Sequence, residues 1–265
     1  MYDLASDSHA DLPGMGTTRT GLGMGRLGGL VCAVGGYGGD NYLDSCECLD
    51  TANPGAGWLA IPSLGTARSG HAVASTGDTM CTIGGNSGIA SVECLSQGAA
   101  AWVELASLNT ARSNHGAAAV GNAIFVVGGS DADANCLSSV EALDLSVDGG
   151  GWDEKAPMPT ARAGLAVAAS GTKLFAVGGY AWPDTLDTLE IYESATDSWS
   201  TAAPMPTPRQ YLAAAIVGNT LLALGGNVRS NTLDVVEAFD IESGSWSAAS
   251  RMATPRYAHA AMAGP

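Results

Sequence analysis

TARSNHGAAAVGNAIFVVGG, residues 110–129, holds no catalytic signature; its meaning lies in how often the chain repeats it. The phrase returns as TARSGHAVASTGDTMCTIGG at 66–85, TARAGLAVAASGTKLFAVGG at 160–179 and TPRQYLAAAIVGNTLLALGG at 207–226. Glycine pairs fall at Gly35-Gly36, Gly84-Gly85, Gly128-Gly129, Gly178-Gly179 and Gly225-Gly226. Each first glycine follows an arginine by sixteen residues: Arg19, Arg68, Arg112, Arg162 and Arg209. Arg256 continues the series. A threonine stands two residues before each of the six, and eight residues before the last five threonines stands Trp58, Trp102, Trp152, Trp199 or Trp246. Self-similarity on this scale marks a repeat architecture.

Within each unit the pattern is that of strands. A small-residue run after the arginine (HAVAS, GAAAV, LAVAA, LAAAIV) meets a turn at GD, GN or GT, residues suited to tight hairpins. An apolar run then ends in the glycine pair, and a loop of variable length leads to an alternating third strand such as SVEAL or TLEIY. The tryptophan opens a fourth. Four antiparallel strands per repeat make one blade of a β-propeller. The alanines and glycines of the first strand place it innermost, where blades converge, and Phe125, Phe175, Leu222 and the tryptophans fill the wider space between blades.

Composition agrees. In 265 residues, 46% are apolar and 14% charged, enough for a large core and unlike a disordered chain. No run of eighteen apolar residues exists, so no membrane-inserting helix is expected. A net charge of −15 argues against nucleic acid as a partner. The N-terminus shows no basic-then-apolar secretory signal, and the six cysteines include no C-x-x-C pair.

The glycine doublet, the third-strand elements ECLD, EALD, EIYE and EAFD, and the tryptophan opening the fourth strand together resemble the kelch-repeat family. The resemblance covers essentially the whole chain. It implies an all-β kelch-type propeller over residues 1–265, with repeat units at 19–67, 68–111, 112–161, 162–208 and 209–255 and a sixth blade split between the termini. Tyr2-Asp3 fits the aromatic-acid step of a third strand and His9 the tryptophan position, while 256–265 supplies a first strand. The second strand of this composite blade is missing, so the sequence reads as an incomplete record of a longer chain.

The six arginines are the leading site candidates. Their repeat position lies where the chain enters the innermost strand, which in a propeller lines a mouth of the central channel. Guanidinium groups there would select carboxylates or phosphates. Some kelch adaptors hold acidic peptides with matching arginines, so the resemblance implies a protein-interaction module, an adaptor or scaffold subunit, with other proteins, acidic segments among them, as partners. The structural reading has each arginine bonding backbone carbonyls of an adjacent blade. Trp182, the one tryptophan outside the register, is a loop aromatic suited to an interface. No cofactor is expected. Kelch propellers also include enzymes, so a sugar epimerase or oxidase type is the alternative; neither an oxidase-type copper site nor a Glu-x3-Asp-x3-His motif is recognisable here.

Three smaller features complete the reading. His71, His115 and His259 share a repeat position that carries leucine elsewhere, which favours packing over metal ligation. DADAN at 131–135 opens like a calcium loop but lacks its later glycine and glutamate. Cys32 and Cys48, and Cys81 and Cys94, occupy matching sites on adjacent strands of two blades, which leaves cross-strand disulfides and buried thiols both open.

Overall fold

The computed structural model describes residues 2–263 apart from 4, 5, 10 and 87. Five four-stranded antiparallel sheets follow one another along the chain. Blade 1 comprises Gly23–Leu27, Leu30–Val34, Cys46–Asp50 and Trp58–Ile61. Blade 2 comprises Ala72–Thr76, Thr79–Ile83, Val92–Ser96 and Val103–Leu105. Blade 3 comprises Gly116–Val120, Ala123–Val127, Val140–Asp144 and Asp153–Lys155. In blades 4 and 5 a small hairpin interrupts the loop between second and third strands. Their sheets are Ala166–Ser170, Lys173–Val177, Leu189–Glu193 and Ser198–Thr201, and Ala213–Val217, Thr220–Leu224, Val236–Asp240 and Ser245–Ala249.

First strands of successive blades lie side by side, so they are the inner ones. Small residues allow this approach. A β-carbon added to Gly116 would come within 2.2 Å of Val167 Cγ2 on the next blade, far inside van der Waals contact. Apolar clusters fill each space between neighbouring blades, as with Phe125, Val127 and Val140 of blade 3 against Leu165, Leu174 and Tyr192 of blade 4. Each tryptophan in the repeat register adds a directional tie. Its indole N–H donates to a carbonyl four residues beyond the tryptophan position of the preceding unit: Trp102 to Pro62, Trp152 to Ala106, Trp199 to Ala156 and Trp246 to Ala203, at 2.8–2.9 Å.

Six repeat positions close around the axis. The residue two after each arginine donates its N–H to the carbonyl of its counterpart in the preceding unit. The bonds run Gly70 to Gly21, Asn114 to Gly70, Gly164 to Asn114, Tyr211 to Gly164, Ala258 to Tyr211 and Gly21 to Ala258, at 2.7–2.9 Å. All six residues have positive φ, which turns each N–H and C=O along the ring.

The sixth sector is partial. Tyr2–Asp3 pairs with Ser8–His9 in the register Tyr2↔His9, the backbone counterpart of Phe239↔Trp246 in blade 5. Trp58 donates to Pro13, four residues past His9, as its counterparts do. The Asp7 carboxylate accepts from the Ser250 N–H at 2.9 Å and hydroxyl at 2.8 Å, repeating the bond from Ala156 N–H to Asp197 between blades 3 and 4. Residues 256–263 form no strand, because among the described residues no second strand pairs with them. Among the described residues the complete blades therefore number five, with the sixth represented by its inner and outer parts.

The cysteine question resolves toward oxidation. Cys32–Cys48 and Cys81–Cys94 are disulfides joining second and third strands of blades 1 and 2. Blades 3 to 5 pair Phe125 with Ala142, Phe175 with Ile191 and Leu222 with Ala238 at the same site. Cys46 and Cys136 are free, and burial pushes the Cys46 thiol up to about 11.

Candidate functional site

The arginine of each complete blade is enclosed rather than presented. Arg68, Arg112, Arg162 and Arg209 are 0% exposed, and Arg19 is buried as well. Each meets a third-strand glutamate of its own blade: Arg19–Glu47 at 2.8 Å, Arg68–Glu93 and Arg112–Glu141 at 2.5 Å, Arg162–Glu190 at 2.7 Å and Arg209–Glu237 at 3.0 Å. Two local geometries serve this end. In blades 1 to 3 the guanidinium also donates to the first doublet glycine's carbonyl and to Ser45, Ser91 or Ser139. The glutamate there accepts backbone N–H groups of the approaching loop, as Glu141 does from Asn109 and Thr110. Blades 4 and 5 have no serine at that place. Their arginines bond the Ala176 and Ala223 carbonyls, and the Thr160 and Thr207 hydroxyls donate to the glutamates. Burial pulls the guanidinium pKa of Arg68, Arg112, Arg162 and Arg209 down, and the facing glutamate opposes this.

The expected ring of carboxylate-seeking guanidiniums at the mouth thus gives way, for these five, to an internal clamp. The carboxylate they meet belongs to the protein, and the carbonyls they bond lie in their own blade rather than an adjacent one. A charge buried this completely needs such partners. Arg256 differs, being exposed.

In blades 1, 3, 4 and 5 the residue just after the arginine is coupled to the residue just after the glycine doublet. Thr20 bridges Tyr37, Ser113 bridges Ser130, Ala163 bridges Tyr180 and Gln210 bridges Asn227. In blade 2 the Ser69 N–H donates to the Asn86 side chain at 2.8 Å. Aromatic side chains gather on this face. Tyr37 and Tyr42 stack edge to face at 5.8 Å, both exposed. Tyr180 and Tyr211 lie 5.8 Å apart, with Tyr211 beside the axis. Tyr257 follows Arg256 and is exposed. From the bridge at Tyr180 a hairpin, Tyr180–Ala181 with Asp184–Thr185, projects Trp182 at its tip, 87% exposed. Five of the seven tyrosines and the one tryptophan outside the register therefore share one face.

The same face carries acid. Asp40, Asp133 and Asp184 are exposed in the loops beyond the doublets, facing few cations, with Arg229 on the blade 5 hairpin and Arg256 among them. Asp131 caps its own loop by accepting from the backbone N–H groups of Asp133 and Asn135, so DADAN is built as a turn.

Beneath the face a cavity of about 100 Å3 lies on the axis, lined by the ring residues and by their successors, including His71, His115 and His259. Burial holds His71 down to about 3, His115 well below its ordinary value and His259 down to about 4, so all are neutral near pH 7. Among the described residues no group of three or more His, Cys, Asp or Glu is arranged to hold a metal ion.

Comparison with known proteins agrees with this architecture. The KLHDC2/KLHL20/DRC7 Kelch-repeats domain model matches residues 102–264. The chain belongs to the kelch-repeat family. The solved structure of YjhT superposes with a TM-score of 0.81 at 16% identity, covering 95% of this chain and 89% of that one, a likeness of fold. No curated protein sequence matches the chain. A kelch propeller is in general a protein-interaction module.

Proposed function

We propose that this protein is an interaction module, an adaptor or scaffold subunit, which grips a partner polypeptide on the aromatic face around the propeller axis. The observation that carries the reading is that Tyr37 and Tyr42 of one loop, Trp182 of another and Tyr257 beside the axis, from three separate stretches of chain, are all left exposed on loops of this face. Exposed aromatics bury large area at small entropic cost and anchor interfaces. The face chemistry also speaks to the partner. An acidic segment would find Arg256 and Arg229 but meet Asp40, Asp133 and Asp184. A segment mixing apolar and basic residues meets aromatic faces and carboxylates together, through burial, cation–π contact and charge complementarity.

The test is selection of peptides from a displayed random library on the intact protein. Expected winners are enriched in Lys or Arg beside apolar residues, and lose affinity on Trp182→Ala and with added salt. Winners that are acidic and bind Trp182→Ala as well as the parent would sink the reading.

A further inference from the structure

The seams between blades are not filled alike. Between blades 3 and 4, Phe125 meets Tyr192 with ring centroids 5.7 Å apart, and Tyr192 in turn meets Trp199. Between blades 4 and 5, Phe175, Phe239 and Trp246 pack in one cluster. Between blades 2 and 3 the same repeat positions carry the Cys81–Cys94 bridge, Leu143 and Trp152. A disulfide and a leucine fill less space than two aromatic rings. Here a groove of about 490 Å3 opens, lined by Cys94, by Ala99 and Ala101 of the loop that follows its strand, by Val103 and Leu105 of the outer strand, and by Leu145 of blade 3. No charged residue lines it. The seam between blades 1 and 2 also holds a bridge, Cys32–Cys48, but there Gln97 stands where blade 3 has Leu145. The Gln97 amide lies over the blade 1 turn, within 2.6 Å of where a β-carbon on Gly28 would sit.

Of the four bridged cysteines, Cys94 alone lines this groove, and it is the most exposed, at 6% against 0–2% for the others. Its place in the sheet sets the direction of approach. Cys81 lies on the second strand of blade 2 and Cys94 on the third, so the S–S bond runs inward from Cys94. The groove lies on the other side, where Val103 of the outer strand stands directly opposite Cys94. A thiolate entering from the rim therefore meets Cys94 Sγ with Cys81 Sγ behind it. Exchange at a disulfide is a displacement in line with the leaving sulfur, and its rate depends on which sulfur can be reached.

We propose that this groove is a thiol-exchange site, at which an external dithiol reductant opens the Cys81–Cys94 bridge while the Cys32–Cys48 bridge stays closed. One thiolate of the reductant attacks Cys94 Sγ and forms a mixed disulfide there. The bond to Cys81 breaks, and its electron pair goes to Cys81 Sγ, which takes up a proton because burial in apolar surroundings disfavours the thiolate. The second thiol of the reductant then attacks the sulfur of the first and releases Cys94. The bridge gains two electrons and two protons, and the reductant leaves as a disulfide. Uncharged walls matter on a chain of net charge −15, since they place no carboxylate against the incoming thiolate. Blade 2 keeps the backbone ladder between Thr79–Ile83 and Val92–Ser96, so the reaction cuts a covalent tie and leaves the sheet to re-form it.

The test uses the intact chain, oxidised in air and then treated with dithiothreitol in native buffer. Samples taken over time are quenched in acid, unfolded, alkylated and mapped by mass spectrometry. Cys81 and Cys94 are expected to become alkylated several-fold sooner than Cys32 and Cys48. Val103→Trp roofs the groove and should slow that opening several-fold, with the Cys32–Cys48 rate unchanged. A second measurement identifies the attacked sulfur. In a Cys136→Ala background, Cys81→Ala leaves Cys94 to react with an aromatic disulfide reagent in the folded state, whereas Cys94→Ala leaves Cys81 unreactive until the protein is unfolded. Both bridges opening together, the blade 1 bridge opening first, or Val103→Trp without effect would overturn the proposal. So would a Cys81 as reactive as Cys94, or an oxidised protein in which the two are not joined.

Discussion

Arg112 in blade 3 is fully enclosed, donating to Gly128, Ser139 and Glu141, whereas Arg256 opens the sixth sector exposed, with no ion-pair partner among the described residues. The two share a repeat position and the same side chain. What separates them is the glutamate and doublet carbonyl that a complete blade supplies. A guanidinium is an internal strut where its own sheet surrounds it, and among the described residues no such sheet surrounds Arg256.

The largest expected effect breaks this comparison directly. Arg112→Ala leaves Glu141 buried without its cation, and removal of one partner of a buried pair costs about 3–5 kcal/mol. Arg256→Ala removes no such pair, so its urea midpoint should match the parent's. Equal losses in the two variants would show that Arg256 is as firmly engaged as Arg112.

Next comes the contrast between disulfide-bearing and disulfide-free blades. The Cys81–Cys94 bridge closes a sequence separation of 13 residues in blade 2. In the chain-entropy account a loop near this size is worth about 3 kcal/mol. Replacing both cysteines with alanine should lower stability by about 2–4 kcal/mol. Phenylalanine at 81 with alanine at 94 reproduces the blade 3 pair Phe125 and Ala142, and should recover part of the loss. Parent and double-alanine proteins melting together would indicate that the thiols are reduced.

The fold was legible because a propeller writes its geometry as periodicity. The arginine-to-glycine spacing, the small first strand and the tryptophan each answer a constraint that recurs in every blade, and even the outer ribbon of the sixth sector follows from Tyr2-Asp3 and His9. The clamp was half-legible. Arg162 and Glu190 are 28 residues apart, as are Arg209 and Glu237, and both series stand in the sequence. Their partnership needs the turn of the sheet that brings the third strand under the arginine. The aromatic face was hardly legible at all, because Tyr37, Tyr42, Tyr180 and Tyr257 sit in loops of differing length, and pairings such as Tyr37 with Tyr42 and Tyr180 with Tyr211 form only in three dimensions. Trp182 was singled out only for falling outside the register.

Acid sharpens a finer contrast, between the histidine and leucine blades. His71 is buried and neutral, held to about 3 by burial and by the neighbouring Arg68 charge. An unfolded histidine takes up its proton near pH 6.5. The unfolded state therefore binds more protons below 6.5, and stability falls with acidification by up to about 1.4 kcal/mol per pH unit. Above 6.5 the group is neutral in both states and contributes no slope. His71→Leu installs the residue found at Leu165 and Leu212, and should flatten the stability profile between pH 6.5 and 5.5 by up to that amount. An unchanged slope would mean that His71 is charged in the fold.

The smallest expected effect on stability falls at the most exposed aromatic. Trp199 packs 5.2 Å from Tyr192 and donates its indole N–H to Ala156, so it is part of the seam between blades 3 and 4. Trp182 lies 87% exposed on a hairpin tip and covers almost nothing. Trp182→Ala should therefore shift unfolding by no more than about 0.5 kcal/mol, the range of surface changes away from special features. Keeping so large an apolar group in water serves no packing purpose, and that is the sense in which its silence in an unfolding experiment supports a role in contact with a partner. A loss near that expected for a seam tryptophan would instead show that the hairpin folds back on the blade in solution, and the aromatic face would lose its most prominent member.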